Sequence, residues 1–167
     1  MNINGKKAIV FGGTSGIGLS TTQMLSDKGA DVIALSRSPE KLKNLPKNVT
    51  TKKMNVLDKA ALEKFFQEEG EFDILVNSAT GGARAVGPFL SMDLDGYKAS
   101  FDKLWGYTNV VRYGAKYLKD NGNIVLVSGS PARKCRPGQI AISSVGGAVE
   151  AFARGVAPEI APKRINI

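Results

Sequence analysis

Four apolar residues, Ala8-Ile9-Val10-Phe11, run straight into Gly12-Gly13-Thr14-Ser15-Gly16-Ile17-Gly18. A helical pattern then holds from Gly16 to Lys28, and Gly29 stops it. A short apolar run ended by glycines marks a buried strand. Glycines let the backbone turn sharply and let a ligand approach with no side chain in between. The helix behind them offers free N–H groups and the positive end of its dipole. Strand, glycine turn and helix in this order open a parallel α/β sheet. They predict a pyrophosphate cradle at Gly12, Thr14, Ser15, Gly16, Ile17 and Gly18. The spacing is G-x-x-x-G-x-G instead of the G-x-G-x-x-G of many dinucleotide sites.

The rest of the chain continues the alternation. Strands are expected at Asp31–Ser36, Val49–Val56, Phe72–Asn77, Gly122–Ser128 and Arg164–Ile167. Helices are expected at Lys59–Glu69, Tyr97–Lys119 and Gln139–Ile160. Asp58 is the expected N-cap of the first of these, with Leu62, Phe65 and Phe66 on its inner face. The strands are near-continuous runs of Val, Ile and Leu, as strands covered on both faces should be. This predicts a doubly wound parallel sheet with helices on both faces. Ligands of such sheets bind beyond the carboxyl ends of the strands. At 167 residues the chain is expected to be one domain, 1–167.

Composition narrows the chemistry. There is no histidine, which excludes histidine catalysis and leaves no metal site to expect. A single cysteine, Cys135, excludes an internal disulfide and fits a reducing cytoplasm. The net charge of +8 is spread over scattered lysines, without interleaved aromatics. That pattern fits solvated helix faces and no nucleic-acid partner. Apolar runs such as Ile124–Val127 are too short to cross a bilayer, and no signal peptide is seen, so no membrane partner is expected.

Three segments carry a resemblance. Gly12–Gly18 looks like the cofactor loop of the short-chain dehydrogenase/reductase family. Asn77-Ser78-Ala79 is similar to that family's Asn-Asn-Ala-Gly motif, with Thr80 in place of the final glycine. Ala148–Phe152, with Ala161–Asn166 after it, resembles the active-site helix and the strand that follows. The resemblance implies a Rossmann-type fold whose C-terminal part is missing from this chain. It also implies a nicotinamide cofactor, a small carbonyl or alcohol substrate, and a homodimer or homotetramer. Asn77, Ser78 and Ala79 would then lie near the cofactor, with the asparagine pinning the sheet.

The second strand ends in Ser36-Arg37-Ser38, with no carboxylate to take a ribose 2′-hydroxyl. Arg37 can pair with a 2′-phosphate, and the serines can donate to it. NADP(H) is therefore expected ahead of NAD(H). Asn55, followed by Val56, stands where the family has an aspartate beside the adenine.

The family's catalytic pair is absent. The resemblance puts Ile142 at the tyrosine position and Gly146 at the lysine position, and neither moves a proton. The asparagine of the family's proton relay falls on Lys103. The serine that holds the substrate oxygen falls on or beside Gly129, with Ser130 the candidate. Ser130 and Lys103 are thus the catalytic candidates. Gly146-Gly147 inside a helix costs about 1 kcal/mol per glycine relative to alanine. That cost implies a close neighbour, either the nicotinamide ribose or a partner helix. The loop Arg133-Lys134-Cys135-Arg136 admits two readings, an anion site or solvated cations. Two functions follow: an NADP(H)-dependent oxidoreductase with an atypical site, or a catalytically silent NADP(H)-binding regulator or scaffold.

Overall fold

The computed structural model describes residues 2–167, with only the backbone of Lys41. Six strands form one sheet in the order β3-β2-β1-β4-β5-β6, every neighbouring pair parallel. They are β1 (Lys7–Phe11), β2 (Asp31–Ser36), β3 (Val49–Lys53), β4 (Phe72–Asn77), β5 (Leu118–Leu126) and β6 (Arg164–Asn166). The helices are α1 (Gly16–Asp27), α2 (Lys59–Glu69), α3 (Leu94–Ala99), α4 (Asp102–Gly114) and α5 (Ile140–Val156). This is the doubly wound sheet expected. Its strand order reverses between β1 and β4, the switch point where ligands of such sheets bind.

Alternation along β1 divides the core. Ile9 and Phe11 point to one face, where they join Phe65 and Phe66 of α2, Tyr107 and Val110 of α4, and Val149 of α5. Ala8 and Val10 point to the other, with Ala30, Val32, Ile74 and Val76. All six residues of β4 are buried, including the polar Asp73 and Asn77, as befits a central strand covered on both faces. Helix α1 buries Gly18, Thr22 and Ser26, a small-residue stripe at i, i+4 spacing. The Thr22 hydroxyl donates to the Gly13 carbonyl at 3.0 Å, tying the helix to the glycine turn. In α2, Asp58 caps as expected: its Oδ1 accepts from the Ala61 N–H at 3.0 Å.

Several expected boundaries move. The third strand ends at Lys53, because Met54–Val56 turns away, with the Asp58 N–H donating to the Asn55 carbonyl. The single helix expected over Tyr97–Lys119 is two helices, broken at Ser100–Phe101, with a 3-10 turn at Ala115–Tyr117. At the break the Ser100 hydroxyl accepts from the Ala85 N–H at 2.9 Å and donates back to the Gly96 carbonyl at 2.8 Å. β5 begins at Leu118, four residues before the expected start, and its register against β4 shifts between Phe72 and Ile74.

By length and composition alone, Ile140–Glu159 passes for a membrane-crossing helix, a feature the sequence reading did not single out. In the fold this segment is α5 plus a 3-10 turn, and its inner face buries Ala141, Val145, Val149 and Ala153. That is the pattern of a core helix of a sheet protein.

Candidate functional site

A cleft of about 590 Å³ opens at the carboxyl ends of the strands. Its floor is the glycine turn. Gly12 has φ +76° and Gly16 φ +50°, in the left-handed region that glycine reaches without strain. A Cβ on Gly18 would fall 2.1 Å from the Gly12 carbonyl oxygen, and one on Gly12 would fall 2.7 Å from the Ser78 Oγ. These two glycines let strand, helix and the Ser78 turn close on one another. Gly16 differs: nothing lies within 4 Å of its Cβ position, so its face is open. Ser15 is the N-cap of α1 but makes no side-chain capping bond, and no acid stands in the first turn. The N–H groups there have no competing carboxylate, as an anion cradle requires. The residues present therefore fit a dinucleotide pyrophosphate.

Toward β2 and β3 the wall carries Ser36, Arg37, Asn55 and Val56, with no carboxylate. The exposed Arg37 guanidinium reaches across the cleft mouth and donates to the Gly81 carbonyl at 3.4 Å. Ser36 Oγ accepts from the Ser38 N–H at 3.3 Å, closing that turn. Asn55 Oδ1 accepts from the Leu57 N–H at 3.1 Å, which leaves the amide nitrogen free to donate. Val56 is fixed from behind by the buried Asn109, whose Nδ2 donates to its carbonyl at 3.1 Å.

Toward β4 and β5 the wall is built from Ser78, Ala79, Thr80 and Gly81, then Arg84, Ser100, Lys103, Ser128, Gly129, Gln139, Ile142 and Gly146. Ile142 and Gly146 lie one turn apart and both face the cleft. The two positions that the resemblance gives to tyrosine and lysine thus line the cleft, one with an aliphatic side chain and the other with none. Lys103 is half-buried, its Nζ 5.3 Å from the centroid of the Tyr107 ring. Burial, and after it the charge of Arg84, hold the Lys103 pKa down at about 8.

Not every expected site residue reaches the cleft. Ser130 is exposed and opens the 3-10 turn Ser130–Ala132, off the wall; Ser128 and Gly129 occupy the wall in its stead. Ser128 Oγ lies 3.3 Å from the Gly146 carbonyl and 3.5 Å from Glu150 Oε1, so this hydroxyl is already engaged with α5. Thr14 and Ser38 are not among the residues that line the cleft. Asn77 is fully buried: its Oδ1 accepts from the Ala79 N–H, and its Nδ2 has no hydrogen-bond partner among the described residues. It holds the turn after β4 from below.

Within the chain, the close neighbour of Gly146 is the turn that precedes α5. A Cβ there would fall 2.8 Å from the Ala132 Cβ of this same chain, while Gly147 faces open space. The tyrosines are structural. Burial raises the Tyr107 phenol pKa, and its OH donates to the Val127 carbonyl at 2.9 Å. Tyr97 donates to the Ser144 hydroxyl at 2.9 Å, and Tyr117 stacks on Phe66. Arg133 is paired with Glu150 at 3.2 Å. Arg84, Ser100, Gln139 and Asn109 were not legible beforehand. Arg84 and Gln139 stand in irregular loops with no motif around them, and the partners of Ser100 and Asn109 are distant in sequence.

A family model described as short chain dehydrogenase matches residues 6–167. The whole chain is 31% identical to 3-oxoacyl-acyl-carrier-protein reductase FabG of Thermotoga maritima and spans 73% of that protein. It is 29% identical to an NADPH carbonyl reductase of Sus scrofa, over its whole length and 70% of the relative. Among solved structures, a short chain dehydrogenase of Burkholderia cenocepacia in complex with NADP superposes with TM-score 0.89 at 26% identity, covering 99% of this chain and 71% of that one. Fold, cleft and sequence agree: this chain belongs to the short-chain dehydrogenase family.

Proposed function

We propose that this chain is a single NADP(H)-binding domain and an oxidoreductase acting on a small carbonyl or alcohol, with Lys103 as its proton carrier. One observation carries the reading: a single cleft joins the glycine turn and Arg37 to a half-buried lysine. The pyrophosphate is taken by the backbone of Gly12, Ser15, Gly16, Ile17 and Gly18, with Ser78 and Ala79 across from them. Arg37 takes the 2′-phosphate, with Ser36 beside it, while Asn55 and Val56 border the adenine. The NADP complex of the Burkholderia cenocepacia relative supports this choice of cofactor. When bound, the reduced cofactor supplies hydride to the substrate carbonyl carbon. Lys103 holds at Nζ the proton that the carbonyl oxygen needs. An ammonium with a pKa near 8 is a competent acid at neutral pH, and a positioned acid is worth roughly 10²–10⁴-fold in rate.

A homodimer or homotetramer accords with the family, and the exposed Trp105 on α4 offers apolar surface for it. A single exposed cysteine accords with a reducing cytoplasm. The silent-binder reading is favoured by one specific fact, the Ile142 and Gly146 side chains at the usual catalytic positions. Titration with NADPH and NADH, followed by a carbonyl panel with NADPH, separates the two. Tight NADPH binding without turnover of any carbonyl establishes the silent binder. Binding with turnover that is lost in Lys103→Met establishes the enzyme.

A further inference from the structure

We propose that the substrate of this cleft is an oxo acid, whose carboxylate is held by Arg84 next to the carbonyl presented to Lys103. This deepens the reading above and rests on it. The charged residues of the cleft wall are Arg37, Arg84 and Lys103, and no aspartate or glutamate lines it. Among the described residues none of the three makes an ion pair, whereas Lys6, Lys7, Lys52 and Arg133 all do. A cleft with three unpaired cations is built for anions.

The cofactor accounts for only part of that charge. Its pyrophosphate is met by the N–H groups at the start of α1, and its 2′-phosphate by Arg37 at the end of β2. Arg84 and Lys103 belong to the segment between β4 and β5, on the other side of the switch point. They are close enough for the Arg84 charge to oppose protonation of Lys103. Two cations on one cleft wall, one of them half-buried, gain from a single anion that meets both.

Arg84 is exposed, but its backbone is anchored on both sides. The Ala85 N–H donates to the buried Ser100 at 2.9 Å. On the other side, a Cβ on Gly81 would fall 2.5 Å from the Asp102 carbonyl oxygen, so the loop lies directly on the start of α4. The guanidinium therefore extends from a fixed point near Lys103. It offers the planar two-donor fork that matches a carboxylate. In the reduction the carbonyl carbon gains a hydride from NADPH and the oxygen gains the Nζ proton. The product is the hydroxy acid, Lys103 regains its proton from water, and the carboxylate passes through unchanged.

The test uses the purified chain with NADPH and matched pairs: 2-oxo, 3-oxo and 4-oxo pentanoic acids, each against its methyl ester. At least one acid should exceed its ester in kcat/KM by roughly 10–100-fold, the range for hydrogen bonds between charged groups. Arg84→Met should bring that ratio close to one, chiefly through KM, and Arg84→Lys should fall between. A second arm needs no turnover. Calorimetry on the NADP⁺ complex should show the preferred acid binding, its ester not, and Arg84→Met losing the acid. Equal handling of acids and esters by a chain that binds NADPH overturns the substrate class alone. So does an Arg84→Met variant that loses NADPH affinity while keeping the acid preference, since Arg84 would then serve the cofactor. A wild-type chain that binds no NADPH overturns the proposed function and this inference with it.

Discussion

Gly146 of α5 and Ala132 of the preceding turn lie so close that a Cβ on the glycine would come within 2.8 Å of the alanine Cβ. The contact places the 3-10 turn Ser130–Ala132 directly on α5, at the level of Ser128 and Ile142. Its neighbour Gly147 has no atom within 4 Å of its Cβ position. Two adjacent glycines in one helix therefore do different things, and each substitution has its own sign. Gly147→Ala should raise stability by about 1 kcal/mol, the helix-propensity difference, with NADPH binding unchanged. Gly146→Ala should push the Ser130–Ala132 turn outward and lower the melting temperature. Thermal melts of the two variants check both. The same contact argues against restoring the family's pair. Ile142→Tyr with Gly146→Lys should not raise turnover, because the lysine stem meets Ala132 before it can reach the cleft.

Arg37→Ala should weaken NADPH by about 1.5–3 kcal/mol, the range for hydrogen bonds to charged groups, and leave NADH nearly unchanged. The wild-type chain should prefer NADPH. Fluorescence titrations at fixed salt measure both, and equal or tighter binding of NADH in the wild type would refute the assignment of Arg37.

The proposed role of Lys103 as proton carrier predicts a pH dependence of definite sign. Reduction needs the ammonium form, so kcat/KM should be flat below about 8 and fall as pH rises through that value. Oxidation of the alcohol needs the neutral amine and should rise over the same interval. Lys103→Met should abolish both limbs. A profile with no inflection between pH 7 and 9 would remove Lys103 from the proton path.

Asp73 ties part of the stability of the fold to pH. Its buried carboxylate accepts from Lys6 Nζ at 3.0 Å, the Lys7 N–H at 3.1 Å and Lys119 Nζ at 3.3 Å. Burial raises its pKa, but the three donors outweigh burial and leave it below the ordinary 3.8. A carboxyl whose pKa is lowered by folding contributes stability that is present above its unfolded pKa. That contribution is lost as pH falls below 3.8 and through the folded value. Asp73→Asn should lower stability at pH 7 and flatten its decline below pH 4, as followed by urea midpoints across pH.

What could be read beforehand follows the range of the interactions. β1, its glycine turn, β4 and the Asp58-capped α2 are specified by residues within a few positions of one another. The break between α3 and α4 is not: Lys98-Ala99-Ser100-Phe101 holds no glycine or proline, and the contact found at the break is with Ala85, fifteen residues away. The site divides in the same manner. Gly12, Ser15 to Gly18 and Arg37 are local to strand ends, so their place on the cleft was legible, though the expected Thr14 does not line it. Whether Ser128 or Ser130 faced the cleft depended on where β5 ended and the 3-10 turn began. The role proposed for Arg84 depends on Lys103, which the sequence places on a separate element nineteen residues later.

Helix α4 also sets a distance. Gly106 lets it lie directly against Val56, where a Cβ would fall 2.5 Å from the valine Cγ2, and Asn109 bonds the Val56 carbonyl one turn further on. Lys103 stands one turn before this clamp. The same backbone segment proposed to border the adenine therefore serves as the datum from which the ammonium is measured, much as a ruler is read from its fixed end. Any side chain at 106 would lift the helix off Val56 and shift the zero of that scale. The error would then reach the reacting end of the cleft with every residue of the proposed chemistry still present.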